Sequence, residues 1–326
     1  MRCLGCLKEL PQEAYCKKCQ LELFGGAKVQ PNLLFPSPHT ADPSHYLQQT
    51  TRISISGVQV KYSLKLEADK LILTDSKGQF ILKPIPFGLF HNLSEAPANE
   101  HLTMQLARQV YKLPIPPNAL VRFSDGTLGY IVRRFDVLEN GTKSLQEDFA
   151  QIAQRSEQLH GKNYKYDFSY EEIGELIRQT IPTYQVELEK YFKLILFNYL
   201  FSNGDAHIKN FSVMHKSEIG YVLTPFYDLL CTRIHSPHES DMALMLFKDN
   251  RFSSAYENYG FYTYSDFEEF AEILGIRPKR FRNIVANMLS NEKEVTALVK
   301  ASFLSHDIKE LYIQTYFDKK KRMIMY

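Results

Sequence analysis

The stretch Ser202-Asn203-Gly204-Asp205-Ala206-His207-Ile208-Lys209-Asn210, followed by Tyr227-Asp228, is the most informative part of this chain. It places Asn210 five residues after Asp205, and a second carboxylate, Asp228, after one predicted hairpin. A phosphotransferase needs such side-chain oxygens to hold Mg²⁺-ATP and to orient an attacking hydroxyl group. The Asp-x-x-x-x-Asn spacing is a weak signal alone, because loops are rich in Asp and Asn.

The sequence around this stretch favours a catalytic loop. Residues 184–202 are predicted to form a helix that is apolar almost all round and therefore buried. This helix is expected to end at Asn203-Gly204, so that Asp205 emerges from a rigid element onto a loop. Residues 211–224 are predicted to form a hairpin that returns the chain to the same cleft.

The polar side chains of the loop then have predicted roles. Asp205 would accept the proton of a hydroxyl group and aim it at the phosphate. Asn210 and Asp228 would supply oxygen ligands to Mg²⁺, a hard cation. A lone histidine is usually a hydrogen-bonded structural residue, but His207 is predicted here to orient the loop or to contact a phosphate.

Upstream segments offer a nucleotide-binding side of the cleft. Ser54-Ile55-Ser56-Gly57-Val58-Gln59-Val60-Lys61 combines N–H groups, hydroxyls and a lysine that suit phosphates, although it is not a Walker A loop and an ordinary strand start is the alternative. Lys83 on a strand and Glu100 on the next helix are predicted to form an ion pair that places the ammonium group on the phosphates. Arg133-Arg134-Phe135 ends the last strand at the predicted hinge, where backbone groups would bond adenine and Phe135 would pack on it.

Four of the five cysteines lie near the start of the chain, as Cys3, Cys6, Cys16 and Cys19. In a reducing compartment, two C-x₂-C pairs favour tetrahedral Zn²⁺ over disulfides. The gap between the pairs is short for a zinc ribbon, and free thiols at a loose end are the alternative. We predict a zinc-binding knuckle and interpret Cys231 as a lone core thiol.

Composition limits the remaining function classes. The chain has 326 residues, 44% of them hydrophobic, so it can bury the core of one large domain or of two lobes. Its formal net charge of +2 is too small to predict direct binding to nucleic acid or to a membrane. Without a membrane-length apolar run or a signal peptide, we expect a cytoplasmic protein. The basic run 319–322 is interpreted as a solvated tail, and export into a host cell stays open.

The order of elements predicts an α+β fold of two unequal lobes. The Asp-x-x-x-x-Asn loop resembles that of the protein kinases, which implies a protein-kinase-like fold. The predicted parts are a cysteine segment at 1–26, a proline-rich linker at 27–50, a β-rich N-lobe with the phosphate loop and hinge at 51–140, and a helical C-lobe with the catalytic loop at 141–326. Candidate helices of the C-lobe span 145–160, 170–180, 184–202, 265–274, 278–290 and 292–316.

At these residues the sequence resembles the HipA family of bacterial serine/threonine kinases, the toxins of toxin–antitoxin operons. The matching stretches follow the family order at 54–61, 79–83, 134–136, 204–213 and 223–229. The resemblance implies that Asp205 is the catalytic base, that His207 and Lys209 serve the same loop, and that Asn210 and Asp228 bind Mg²⁺. It implies ATP contacts from Ser56, Gly57, Val58, Gln59, Lys61, Lys83, Glu100, Arg133, Arg134, Phe135 and Tyr227.

The resemblance also implies regulation and partners. Ser54 and Ser56 match the Ser-x-Ser position that HipA-like kinases autophosphorylate, and a phosphate there would repel ATP. Family targets are aminoacyl-tRNA synthetases. Larger members carry a sizeable N-terminal lobe before the phosphate loop, where this sequence has the cysteine segment and the linker, and in this it resembles the short HipT-type toxins. In those, a separate small protein can replace the lobe as antitoxin, beside a DNA-binding antitoxin.

Three hypotheses are open at this point. The first is a protein serine/threonine kinase, and the second is a small-molecule or phosphoinositide kinase, whose Asp-x-His-x-x-Asn loop also fits residues 205–210. The third is an inactive docking module with a kinase fold. The sequence has no membrane-binding patch, which counts against lipid substrates. The presence of every needed polar residue counts against an inactive module.

Overall fold

The computed structural model describes residues 1–38, 60–138 and 141–324, and it has a sheet-rich half followed by a helical half. The strands are β1 (Tyr62–Glu67), β2 (Lys70–Leu73), β3 (Phe80–Lys83), β4 (Asn118–Arg122), β5 (Leu128–Arg133), β6 (Gln146–Asp148), β7 (Ser212–Lys216) and β8 (Gly220–Leu223). The α-helices are α1 (Lys17–Phe24), α2 (Ala96–Gln109), α3 (Phe149–Ile152), α4 (Glu157–His160), α5 (Tyr170–Thr180), α6 (Tyr184–Leu200), α7 (Ser254–Tyr259), α8 (Tyr264–Ile273), α9 (Pro278–Leu289), α10 (Glu292–Ala301) and α11 (His306–Arg322). The predicted α+β fold is confirmed.

A five-stranded antiparallel sheet forms the first half, in the order β2-β1-β3-β5-β4. Successive residues of a strand point to opposite faces of the sheet. Tyr130 and Val132 join the apolar cluster that includes α2 and the helical half, and Lys83 reaches α2 from the same face. Leu82 and Ile131 point the other way, into a second apolar cluster. The sheet therefore has one face toward the helical half and one face that needs a separate cover.

The N-terminal segment supplies that cover. Leu4, Tyr15, Leu23 and Phe24 are buried in the second cluster, and the ring of Phe24 lies 5.6 Å from that of Phe80. The hydroxyl of Tyr15 donates a 2.8 Å hydrogen bond to the carbonyl of Leu120 on β4. The cysteine segment is thus packed on the sheet.

The beginning of the predicted linker is also packed on the sheet. The N–H group of Leu33 donates to the carbonyl of Arg122 at 2.7 Å, and the N–H group of Arg122 donates to the carbonyl of Pro31 at 2.8 Å. These bonds occupy the outer edge of β4, which an edge strand would otherwise leave open. Residues 39–59, which include the rest of the predicted linker and most of the phosphate loop, lie outside the described residues.

The helical half is built around α6, which is buried on nearly every side as its composition predicts. The ring of Phe192 packs on Phe281 of α9, and Phe201 stacks on Tyr316 of α11 at 5.2 Å. A small antiparallel sheet, β6-β7-β8, lies beside this core and carries the predicted hairpin. In the part of the chain that the structure describes, no helix is both long enough and apolar enough to cross a bilayer.

The structure corrects three predicted helices. The stretch 145–160 begins as strand β6, and the capping box of Asp148 and Gln151 then starts the short helix α3. The stretch 292–316 is two helices, because the chain breaks between Ala301 and His306. Helix α6 ends at Leu200, earlier than predicted, and other C-lobe helices agree with their predicted bounds within a residue.

The basic run at the C-terminus is part of helix α11, and its interpretation as a solvated tail is wrong. The side chain of Lys319 is buried and forms an ion pair with Asp241, which also binds Arg322 and Arg233. One lysine of this basic run, Lys319, therefore lies on the packed side of the helix.

Candidate active site

A cleft of about 680 Å³ lies between the two halves of the chain. The sheet-rich half contributes Lys61 and Lys83 to its lining. The helical half contributes Asp205, Asn210 and Asp228. The three oxygen-bearing groups that the sequence singles out therefore face one cavity.

Lys83 is the centre of a buried charge cluster. Its Nζ lies 2.5 Å from Oε1 of Glu100 on α2, so the predicted ion pair is present. The same ammonium group also contacts Asp228. Burial alone would lower the pKa of Lys83, but the two carboxylates outweigh burial and raise that pKa. Lys83 is thus held as a cation with its charge facing the cleft.

Asp228 is the acidic counterpart of this cluster. Lys61 Nζ lies 3.3 Å from its Oδ2, and Asn210 Nδ2 lies 3.5 Å from the same oxygen. Burial would raise the pKa of Asp228, but the charges of Lys61 and Lys83 prevail and hold it well below its usual range. The backbone of Asp228 has a φ of 56°, a left-handed conformation that is uncommon outside glycine. Such conformations are concentrated at functional sites, where the surrounding structure holds them.

Asp205 lies on the loop that follows α6, as predicted, but the turn differs in detail. Ser202 takes the left-handed conformation, with φ of 49°, and Asn203 bonds back to the carbonyl of Asn198. Gly204 packs closely on Glu239, because a Cβ there would lie 2.8 Å from the carboxyl carbon and would displace that side chain. The loop is therefore fixed by packing against Glu239.

Two residues that sequence reasoning missed lie beside Asp205. The hydroxyl of Tyr166 donates a 2.5 Å hydrogen bond to Oδ1 of Asp205, and burial and the charge of Asp205 raise the pKa of this phenol. Burial, with a smaller contribution from Asp205, raises the pKa of Glu239 to about 7. Both residues come from loops distant in sequence, and no local pattern marks either loop.

His207 and Lys209 occupy the same loop with different surroundings. Burial lowers the pKa of His207 to about 4, so its imidazole is neutral near pH 7. Its backbone N–H group donates to Oδ1 of Asn210 at 3.1 Å, and its ring packs edge-on against Tyr166. Lys209 lines the cleft with its ammonium group 6.0 Å from the ring centre of Tyr164. This geometry fits His207 as an orienting residue of the loop.

The predicted hinge residues are only partly directed toward a ligand. The backbone N–H groups of Arg133 and Arg134 donate to the carbonyls of Pro117 and Gln79, and are therefore already engaged. The Arg133 guanidinium bonds the carbonyl of Glu22 on α1, and Arg134 pairs with Asp136. Phe135 stacks on Tyr227, with ring centres 5.8 Å apart. An adenine contact at the hinge remains a prediction that rests on these two rings and on backbone carbonyls.

Part of the predicted nucleotide site lies outside the described residues. This holds for Ser54, Ser56, Gly57, Val58 and Gln59, while Lys61 at the end of the loop is described and points to Asp228. The predicted roles of the loop residues in phosphate binding and autophosphorylation stay predictions.

The four N-terminal cysteines form a second cluster, remote from Asp205 in sequence. Their sulfur atoms all lie within 4.8 Å of one another, and no disulfide joins any cysteine of the described chain. Thiolates at this separation match the soft-ligand set that Zn²⁺ prefers.

Known proteins agree with this architecture. The HipA-like C-terminal domain family matches residues 53–295. A putative kinase of Haemophilus influenzae is 25% identical over 85% of this chain and 83% of its own length. The putative kinase Y4mE of Sinorhizobium fredii is 27% identical over 82% of this chain and 60% of its own.

Solved structures extend the similarity to the fold. HipA of Shewanella oneidensis, in a toxin–antitoxin complex with HipB and operator DNA, superimposes with a TM-score of 0.61 at 22% identity, over 84% of this chain and 65% of that one. The Helicobacter pylori proinflammatory kinase CtkA gives a TM-score of 0.53 at 13% identity, over 84% and 93% of the two chains. Since the family match spans most of the chain, the protein belongs to the HipA-like C-terminal domain family, whose relatives include putative kinases.

Proposed function

We propose that this protein is a Mg²⁺-ATP-dependent serine/threonine protein kinase. The observation that carries the proposal is the convergence of Lys61, Lys83 and Asn210 on Asp228, in a cleft that Asp205 also lines. Charged and amide groups of this kind hold the phosphates and the metal ion in phosphoryl transfer, where positioning and electrostatics supply most of the catalysis.

The donor groups fit the proposed cofactors. The pKa of Asp228 is held low, so it would offer the hard carboxylate oxygens that Mg²⁺ prefers. Asn210 lies beside it with Nδ2 toward Asp228 and Oδ1 bonded to the His207 N–H group, and its amide oxygen would serve as a ligand once that bond is exchanged for the ion. Bound Mg²⁺ would neutralise charge on the phosphate oxygens. Lys83, fixed by Glu100, would hold the phosphates once nucleotide enters, and Lys61 would add a second positive charge beside them.

Asp205 would act on the acceptor. Its carboxylate takes the proton of a serine or threonine hydroxyl while the hydroxyl oxygen bonds to the γ-phosphorus and the bond to the β,γ-bridging oxygen breaks, which releases ADP. The hydrogen bond from Tyr166 to Asp205 supports this role, because it shows that a hydroxyl group can approach the carboxylate at hydrogen-bond distance.

The biological role proposed here is that of a toxin. Its support is membership in the HipA-like family and the fold of the Shewanella HipA, which was solved with HipB. We propose antitoxin partners, one of them a small protein as in the short HipT-type toxins, and another that binds DNA. The proposed target is an aminoacyl-tRNA synthetase, and the proposed autophosphorylation sites are Ser54 and Ser56. Phosphoproteomics of cells that express wild type or Asp228→Ala would identify both.

The test of the chemistry is labelling with γ-labelled ATP and Mg²⁺. Wild type should transfer label to a serine or threonine, and Asp205→Asn should lower the rate at least about 100-fold, the usual contribution of a general base. Asp318→Asn, an exposed carboxylate on α11, is the matched control and should label as wild type does.

Three outcomes would contradict this proposal. Equal labelling of wild type and Asp205→Asn would exclude Asp205 as the base. Transfer to a phosphoinositide or another small molecule, with none to protein, would favour the second hypothesis of the sequence analysis. Failure of the folded wild type to bind Mg²⁺-ATP in calorimetry would favour an inactive docking module.

A further inference from the structure

The cysteine cluster has the dimensions of a tetrahedral metal site. A Zn–S bond of about 2.3 Å places two sulfur ligands of a tetrahedron roughly 3.8 Å apart. The sulfur atoms of Cys6 and Cys16 lie 3.7 Å apart, and all four lie within 4.8 Å of one another. A small contraction would bring the whole set to coordination distance.

The backbone around the cluster is arranged for thiolate ligands. The N–H groups of Gly5 and Cys16 donate to the sulfur of Cys3 at 3.4 and 3.2 Å. Such second-shell bonds stabilise the negative charge of a ligating sulfur. A Cβ at Gly5 would lie 2.6 Å from the sulfur of Cys19, so only glycine allows the first loop to close over the second.

The same loop contacts the helix that carries Glu100. Nε2 of His101 donates to the carbonyl of Gly5 at 2.8 Å, and Nε2 of Gln109 donates to the carbonyl of Cys6 at 3.0 Å. In the last turn of α2, Arg108 pairs with Glu22 of α1 at 2.6 Å. The cluster is therefore attached to α2 at its middle and at its end, through groups that are buried or half-buried.

We propose that Cys3, Cys6, Cys16 and Cys19 bind one Zn²⁺ ion, and that this ion holds α2 where Glu100 reaches Lys83. On binding, the four thiols release their protons and their sulfurs ligate the ion, with no oxidation. The ion fixes the carbonyl of Gly5, this carbonyl fixes His101, and His101 is the chain neighbour of Glu100. The N-terminal knuckle is in this way a positioning device for the cleft. The consequence for nucleotide affinity rests on the proposed function, whereas the metal site and its hold on α2 do not.

The first experiment measures metal in the full chain, purified under reducing conditions, by plasma mass spectrometry. We expect about one zinc per chain. Cys19→Ser should lose it, and Cys231→Ala, which changes a buried cysteine of the helical half, should keep it. A wild-type chain without zinc that also fails to take up added Zn²⁺ would overturn the metal site.

The second experiment measures the coupling in the wild-type chain, which avoids variants that fail to fold. A zinc-selective chelator should speed hydrogen exchange of the α2 amides in the absence of nucleotide, and added Zn²⁺ should restore protection. With excess Mg²⁺ present, chelation should also weaken ATP binding about tenfold, within the usual range of coupling between two sites. Unchanged exchange in α2 after complete zinc removal would overturn the coupling. Faster α2 exchange after chelation, in a chain that does not bind ATP at all, would support the coupling between zinc and α2. The missing ATP binding would then contradict the proposed function alone.

A pair of variants tests the route through His101. His101→Leu removes the donor to Gly5, whereas His101→Gln keeps an Nε2 donor at a similar reach. We expect both variants to retain zinc, His101→Leu to show fast α2 exchange and a raised KM for ATP, and His101→Gln to restore both toward wild type. Equal behaviour of the two variants would show that the hydrogen bond does not transmit the effect.

Discussion

At the scale of single residues, the meeting of Asp205, Asn210 and Asp228 in one cleft was predictable because these residues are close in sequence. Asp205 and Asn210 are separated by one short turn, and Asp228 follows one hairpin, so sequence spacing fixes their approximate places. The partners of these residues were not predictable. Tyr166, Glu239 and the ion pair of Lys61 with Asp228 depend on how distant loops fold back, and such contacts leave no periodic signal.

Glu239 offers a test at this scale through pH. Its folded pKa of about 7 lies above its ordinary value of 4.5, so between these values the folded state holds a proton that the unfolded state has lost. The stability that this proton contributes is present below pH 4.5 and is lost as pH rises through 7. Glu239→Gln should therefore gain stability relative to wild type from pH 5 to 8, by about 2 kcal/mol after allowance for partial exposure.

Chemical denaturation at several pH values measures this difference. Glu218→Gln, in the exposed tip of the β7–β8 hairpin, is the control and should follow the wild-type profile. A constant offset between Glu239→Gln and wild type across this range would contradict the prediction.

At the scale of elements, strong apolar periodicity predicted helices well. A local run of charge led to a wrong interpretation of the C-terminal residues. Helices α5, α8 and α9 each have a buried apolar stripe, and α6 is apolar almost all round; the sequence displays both patterns directly. The 145–160 stretch is predicted as one helix, but its start pairs with β7 as strand β6, and only the short helices α3 and α4 follow. The run 319–322 looks like a tail because its four residues are all basic. Only the packing of α11 shows that Lys319 and Arg322 pair with Asp241.

Asp241 is the anchor of helix α11, and its neutralisation should be costly. Asp241→Asn leaves Lys319, Arg322 and Arg233 facing one another without an anion. Removing one partner of a buried ion pair costs about 3–5 kcal/mol. Burial already lowers the pKa of Lys319 to about 8, so its proton is released more easily than usual and the cost should shrink above this pH.

Denaturant unfolding at pH 7 and at pH 9 measures this cost. The same change at Asp318, on the exposed side of α11, should alter the unfolding free energy by less than about 0.5 kcal/mol. Equal effects of the two substitutions would show that the Asp241 cluster does not hold the helix.

At the scale of the whole molecule, the two-lobed arrangement was predictable from the order of strands and helices, but the role of the first residues was not. The sequence presents a cysteine segment and a linker as appendages. In the structure Leu4, Tyr15 and Phe24 cover the outer face of the sheet, which the strand pattern alone leaves exposed. Contacts of this kind join residues about a hundred positions apart, as Tyr15 and Leu120 do, and no spacing rule reaches that far.

The position of the cleft between the halves leads to a last prediction. A ligand that binds only the folded cleft stabilises the whole chain by about 2.7 kcal/mol when its concentration is 100 times its Kd. Mg²⁺-ATP should therefore raise the Tm of wild type by a few degrees, and ATP with a chelator of Mg²⁺ should raise it less. Lys83→Met removes the cation shared by Glu100 and Asp228, so its Tm should hardly respond to the ligand. Lys70→Ala, an exposed lysine on β2, should respond as wild type does, and a full response of Lys83→Met would mean that the nucleotide binds elsewhere.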